Sequence, residues 1–155
     1  MKNRTKCSCC DSEGSHEERM KKMREWEEEQ VIKHGWFAHV VTDDDRTTTG
    51  MNIHTHVIKE SFGHPDLQIV AVMNPEVAHH IICDIVKQIK DGIKFKSGNT
   101  YDGIIKPPFK VKFVKAVETD RNVLRVILPD KNGCLDVGKI GKPFDLQYAD
   151  LLKGN

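Results

Sequence analysis

Two histidines separated by a single residue, His54 and His56, are the most specific chemical feature of the sequence. A strand is predicted from Met51 to Ile58, and the side chains of a strand alternate between its two faces. Asn52, His54 and His56 therefore share one face. Their spacing of about 6–7 Å at the backbone lets two neutral imidazoles bind one zinc or similar ion. Alternatively, both rings are half-buried sheet residues bonded to backbone or carboxylates.

Two further polar residues follow in a tight turn that precedes the next predicted strand. His64 is placed to return to the rim of the same site, and it is the third candidate for a catalytic role beside His54 and His56. Asn52 and Asp66 are the candidate ligand-binding residues. The imidazoles would either hold an ion that activates water or act as general acid and base near neutral pH.

A second candidate metal site lies near the amino terminus, where Cys7 and Cys10 have the Cys-x-x-Cys spacing. This pair supplies half of a closed zinc site, which needs four ligands, so Cys9, His16 or more distant residues would complete it. Free thiols and a redox pair are the alternatives. The predicted cofactor is thus zinc or another divalent metal, with Cys7, Cys10, His54 and His56 as its candidate ligands.

Length and composition describe one domain without a strong electrostatic partner. The 155 residues carry a formal net charge of +1, with 38% hydrophobic and 30% charged residues, so a single core is expected and disorder is not. Seven lysines against two aspartates between residues 90 and 115 are read as an exposed strand face and a polar loop, and nucleic-acid binding is not favoured. A small-molecule ligand fits better.

No apolar run reaches the roughly 18–20 residues of a membrane span, and the first residues lack the apolar stretch of a signal peptide. The five cysteines are an odd number, which suits a reducing compartment. The sequence therefore predicts a cytoplasmic protein.

Hydrophobic patterning predicts the elements that position these residues. A capping box at Ser15 begins a helix that ends at Gly35. Leu67 to Met73 is nearly all apolar, as in a strand covered on both faces, and is the candidate centre of the sheet. Asn74 caps a second helix, which ends near Asp91 and carries an isoleucine stripe.

The remaining strands complete a mixed sheet. Further strands are predicted at Trp36 to Val41, Phe109 to Phe113 and Asn122 to Leu128, and the last two are placed to form an antiparallel hairpin. The fold class is therefore α/β (α+β), with a mixed sheet of about five strands and two main helices. Residues 1–14 form a Cys-rich segment, and residues 15–155 form one α/β domain.

Several short segments are similar to those of a known family: Cys7-x-x-Cys10-Asp11, His34-Gly35-Trp36, Phe62-Gly63-His64-Pro65-Asp66-Leu67, Pro75-Glu76-Val77-Ala78-His79 and Gly92-x-x-Phe95. Through them the chain resembles, over most of its length, the bacterial and phage family catalogued as domain of unknown function 4262. The commonest pattern of that family has a Thr-Val-Gly-Leu-like segment where this chain has His54 to Val57, which indicates a subgroup. The resemblance implies a compact α/β domain and no particular activity.

Two classes of function agree with these observations. The first is a small-molecule or metal-binding protein centred on His54 and His56, with metal-dependent hydrolysis as its catalytic form. The second is a non-catalytic interaction or regulatory module of phage or bacterial origin, with a structural zinc at Cys7 and Cys10. The bound-metal content of the purified protein separates the two.

Overall fold

The computed structural model describes residues 13–42 and 51–152. The chain divides into two compact units, with the boundary between Phe37 and Ala38. The first unit contains helix α1, Glu13–His34, which is followed by Gly35 at a φ of 86°. This left-handed glycine is the helix end that the sequence predicts. The predicted domain boundary after residue 14 stays a prediction.

The second unit is built on one six-stranded sheet. Its strands are β1 Phe37–Thr42, β2 Met51–His56, β3 Asp66–Val70, β4 Thr100–Tyr101, β5 Val111–Glu118 and β6 Arg121–Ile127. They lie side by side in the order β1-β2-β3-β6-β5-β4. The sequence-based estimate of about five strands in a mixed sheet is confirmed. The additional strand, β4, has only two residues and no periodicity from which it could be predicted.

Strand β3 lies near the centre of this sheet, antiparallel to β2 and parallel to β6. All five of its residues are buried, as the apolar run beginning at Leu67 predicts. The strand ends at Val70, three residues before the predicted end at Met73. Val72 is 50% exposed, so the covered part of the sheet has ended there.

A short helix, α2 at Ile58–Phe62, precedes β3, and helix α3, Pro75–Lys90, follows it. The start of α3 has the predicted cap, because the Asn74 side chain accepts a 2.7 Å hydrogen bond from the backbone N–H of Glu76. Its buried residues recur at helical spacing, and α3 contacts β2. They are Ala78, Ile81, Ile82, Ile85, Val86 and Ile89. A cavity beside Val40 is lined by the first turns of α3, so the helix lies on the face of the sheet to which Val40 points.

The opposite face is covered by the C-terminal segment. The strand register places His54 opposite Gln68 and Gln68 opposite Arg125, so these three side chains share a face. On that face Arg125 binds the C-terminal elements, a 3-10 helix at Phe144–Tyr148 and helix α4 at Ala149–Leu152. Strands β5 and β6 form the predicted antiparallel hairpin. No helix among the described residues combines the length and apolar composition needed to cross a bilayer.

Candidate functional site

Three histidines from two neighbouring strands form a group on the polar face of the sheet. His39 comes from β1, and His54 and His56 come from β2. One ring nitrogen of each can be chosen so that all three lie within 4.8 Å of one another. The ring centroids are 5.1 Å apart for His54 and His56, 4.7 Å for His39 and His56, and 5.8 Å for His39 and His54. Such a group could hold a metal ion.

Strand alternation explains two members of the group, and strand order explains the third. His54 and His56 lie on the same face, as period-two geometry requires. His39 joins them because β1 is the neighbour of β2 in the sheet. The sequence offered a signal for His39, since it is a polar ring within the otherwise apolar run from Phe37 to Val41. The adjacency of β1 and β2 could not be read from that run.

The spacing is close to what a tetrahedral metal needs. With Zn–N bonds near 2.0–2.1 Å, two ligand nitrogens of one zinc ion lie roughly 3.3 Å apart. Nitrogens within 4.8 Å of one another therefore reach that geometry by side-chain adjustments on the order of 1 Å. His54 is 5% exposed, while His39 and His56 are partly buried, so the site lies at the rim of the core.

His54 is held from both sides of its ring. Its Nδ1 lies 3.2 Å from the Oδ1 atom of Asn52. Its Nε2 lies 3.6 Å from the Oε2 atom of Glu118, at the end of β5. Asn52, predicted as a ligand-binding residue, thus contacts a member of the group directly. Glu118 was not predicted, because only the pairing of β5 with β6 and of β6 with β3 brings it here.

Glu118 is a buried carboxylate that is held in its charged form. Burial raises its pKa, but the neighbouring His54 ring and hydrogen bonds from Thr119 and Arg121 outweigh burial, so that the pKa is lowered overall. The bonds are 3.0 Å from Thr119 Oγ1 and 3.1 Å from Arg121 Nε. An ionised carboxylate beside an imidazole can accept a proton from a group bound at the site.

Asp66, the other predicted ligand-binding residue, stabilises the end of β2. Its Oδ1 accepts hydrogen bonds from Thr55 Oγ1 at 2.7 Å and from the Ile58 N–H at 3.1 Å. Between them Val57 has a φ of 77°, a value that β-branched residues rarely adopt. The predicted strand through Ile58 therefore ends at His56, and Ile58 begins helix α2, Ile58–Phe62.

Arg121 links this turn to Glu118. Its Nη2 donates a 2.6 Å hydrogen bond to the Thr55 carbonyl, and its Nη1 lies 3.4 Å from Asp66 Oδ2. The guanidinium is thus a cation beside the histidines. Burial of His56, followed by the charges of Arg121 and of the two neighbouring histidines, lowers the pKa of the His56 ring to about 4. This ring is therefore neutral near pH 7, the form that binds a metal ion.

His64 lies outside the three-histidine group. Its Nδ1 donates to the Pro65 carbonyl at 2.8 Å, and its Nε2 accepts from the Phe95 N–H at 3.1 Å. The ring also contacts the Phe95 ring, with centroids 5.9 Å apart, and is 3% exposed. These contacts join the turn before β3 to the loop after α3. A catalytic contribution from His64 stays a prediction.

Cys7 and Cys10 lie outside the described residues.

The fold and the site together define a small α+β domain with a histidine group that could hold a metal ion. The chain belongs to the family described as Domain of unknown function (DUF4262), which matches residues 30–135. The expected resemblance is thereby confirmed, and the matched region contains His39, His54, His56 and Glu118. Comparison with curated proteins and with solved structures gives no match.

Proposed function

We propose that this chain is a metal-binding domain in which His39, His54 and His56 bind one divalent transition-metal ion. The proposal is carried by the proximity of their ring nitrogens, all within 4.8 Å. Imidazole nitrogen suits zinc, copper, nickel and iron, whereas calcium and magnesium prefer oxygen ligands. Zinc is our first choice because it accepts three histidines in a tetrahedral arrangement.

A hydrolytic reaction is the finer form of this proposal. Three protein ligands leave the fourth tetrahedral position for water, as in catalytic zinc sites. Glu118 supports this reading because its carboxylate lies 3.6 Å from His54 and is held in the charged form, which can accept a proton. With an ion held by the three histidines, Glu118 would be the residue placed to accept a proton from water at the site. The substrate would then be a small molecule with a polarised carbonyl or phosphoryl bond.

The binding proposal is tested by zinc titration of metal-free protein, followed by calorimetry. We expect one zinc ion per chain, and we expect His39→Ala, His54→Ala and His56→Ala each to weaken binding by roughly 100-fold or more, since each removes a ligand. His80→Ala is the matched control, because His80 is exposed on α3. Wild-type affinity in all three variants would contradict the proposal.

The hydrolytic step is tested separately with Glu118→Gln. This variant should still bind zinc, while hydrolysis of a chromogenic ester should fall by about 10²–10⁴-fold if Glu118 acts as the base. Equal hydrolysis rates in the two proteins, at equal zinc content, would exclude that role for Glu118.

The alternative, an interaction or regulatory module with zinc bound by Cys7 and Cys10, is separated by the ligand type. Cobalt bound by thiolates gives sulfur-to-metal charge-transfer absorption, which cobalt bound by imidazoles alone does not give. We expect no such band at one equivalent of cobalt. A band that disappears in the Cys7→Ser, Cys10→Ser double variant would favour the alternative.

A further inference from the structure

We infer that Arg125 and Gln68 are positioning residues that fix the tautomer of His54 through Asn52. The inference deepens the proposed metal site and rests on it for its functional meaning. Its physical content, the position of one proton on the His54 ring, is measurable in protein without metal. The two proposals can therefore fail independently.

Arg125 sets which groups donate and which accept in this series of hydrogen bonds. Its side chain is buried, with 2% of its surface exposed. A guanidinium has only donors. Its Nε donates a 2.9 Å hydrogen bond to Gln68, so the atom of Gln68 that faces Arg125 must be the carbonyl oxygen Oε1. The amide nitrogen of Gln68 is consequently turned away from Arg125 and toward β2.

Arg125 is itself held in place by the C-terminal segment. Its Nη1 and Nη2 donate to the two carboxylate oxygens of Asp150 at 2.6 and 2.9 Å, and Nη1 also donates to the Gln147 carbonyl at 2.9 Å. A two-pronged contact of this kind fixes the plane of the guanidinium as well as its position. These contacts with the C-terminal segment therefore fix the direction in which the Nε–H of Arg125 points, toward Gln68.

One atom, Oδ1 of Asn52, connects Gln68 to His54. Gln68 Nε2 donates to the Asn52 Oδ1 atom at 3.3 Å, and the same Oδ1 lies 3.2 Å from Nδ1 of His54. An amide oxygen only accepts hydrogen bonds. Nδ1 of His54 must then carry a proton, and in the neutral ring the lone pair lies on Nε2, which is 3.6 Å from the Glu118 carboxylate oxygen.

This tautomer offers a metal ion one nitrogen without a proton, Nε2. Metal ligation requires a nitrogen without a proton, and a ligand histidine commonly donates its other N–H to an oxygen that orients the ring. Here the orienting oxygen belongs to Asn52, and Nε2 is the nitrogen on the side of Glu118. For an ion bound at Nε2, the opposite tautomer would direct an N–H at that ion. The chain of hydrogen bonds from Arg125 therefore prepares His54 for binding.

The test reverses the direction of hydrogen-bond donation between residue 68 and Asn52 while keeping the side-chain shape at position 68. In Gln68→Glu one carboxylate oxygen still accepts from Arg125, but the other faces Asn52 and also accepts. The Asn52 amide must then turn so that its NH₂ group donates both to the new carboxylate at position 68 and to the His54 ring. Nδ1 of His54 becomes an acceptor. We expect the proton to move from Nδ1 to Nε2. Zinc affinity should fall by about 10–100-fold, the usual cost of losing an orienting partner.

Asn52→Asp and Gln88→Glu are the companion variants. Asn52→Asp keeps an acceptor next to Nδ1, so the wild-type tautomer should be retained, with zinc affinity within about tenfold of wild type. Gln88→Glu on α3 introduces the same charge change as Gln68→Glu, but Gln88 donates to the Gly103 carbonyl and not to Asn52. It should leave both the tautomer and the affinity unchanged.

The readout is the pair of ¹⁵N chemical shifts of the His54 ring, measured without metal at about pH 8, above the ordinary pKa of imidazole. A proton on Nε2 in the wild type would overturn the inference at once, whether or not any variant folds. A folded Gln68→Glu protein that keeps its proton on Nδ1 would overturn it as well. A proton on Nδ1 in the wild type that moves to Nε2 in Gln68→Glu would support the inference, even if zinc were found to bind elsewhere.

Discussion

His39 and His56 lie on neighbouring strands with their ring centroids 4.7 Å apart. The contact joins a residue of β1 to a residue of β2, so the histidine group exists only when the two strands are side by side. A metal ion bound by the histidine group would therefore connect β1 to β2. Its binding would therefore oppose their separation and stabilise the folded chain.

Zinc should accordingly raise the free energy of unfolding. At a free zinc concentration of 100 times Kd the increase should be about 2.7 kcal/mol, because the ion binds the folded state preferentially. The measurement is urea denaturation with zinc and with a chelator, repeated on the variant that lacks all three histidines. If that variant gains as much stability from zinc as the wild type does, the ion is bound elsewhere.

Ile85→Ala should lower the free energy of unfolding by about 2–5 kcal/mol, because it removes a large side chain from a filled site. Ile85 is fully buried in α3. Val77→Ala on the same helix serves as the control, since Val77 is 49% exposed and should change stability by less than about 0.5 kcal/mol. Similar values for the two variants in chemical denaturation would contradict the packing of α3 described above.

Removing the hydroxyl of Thr55 should lower the free energy of unfolding by about 1–3 kcal/mol, because buried hydrogen-bonding groups then lose their partner. It donates to Asp66 Oδ1 at 2.7 Å and accepts from the Leu67 N–H at 2.9 Å, and the residue is fully buried. Thr55→Val keeps the shape and removes both bonds. Thr100→Val, at an exposed position of β4, is the matched control. Equal stability of the two variants would show that the Thr55 hydroxyl contributes little.

Stability should fall as the pH drops below about 6.5, the ordinary pKa of histidine. Burial lowers the pKa of His64, and burial together with Arg121 lowers that of His56 to about 4. The unfolded chain therefore binds protons that the folded chain does not, and stability is complete only above this pH.

The loss should extend down to about pH 4 for His56. Denaturation of metal-free protein at a series of pH values should give a slope of up to about two protons taken up on unfolding, and a flat region between about pH 7 and 8. His64→Gln and His56→Gln should each reduce the slope. A wild-type slope of zero between about pH 6.5 and 5 would contradict both pKa shifts.

Local signals predict the main elements, but neither the short elements β4 and α2 nor the whole site. Asn74 and Pro75 defined the start of α3, and the apolar run from Leu67 defined the central strand. The pairing of His54 with His56 followed from strand alternation. In contrast, His39 and Glu118 enter the site through strand order, which depends on which edges meet after the chain turns back. His64 is near His56 in sequence, and proximity in sequence did not bring it into the group.

The parallel contact between β3 and β6 has a consequence for the order in which this protein assembles. Gln68 and Arg125 are 57 residues apart in sequence, whereas β5 and β6 are joined by a short turn. We expect the local hairpin to form early and the closure of the long loop to be the slow step. During synthesis the three histidines leave the ribosome well before Arg125 does. A nascent chain can thus display all three imidazoles while the hydrogen bonds that orient His54 do not yet exist.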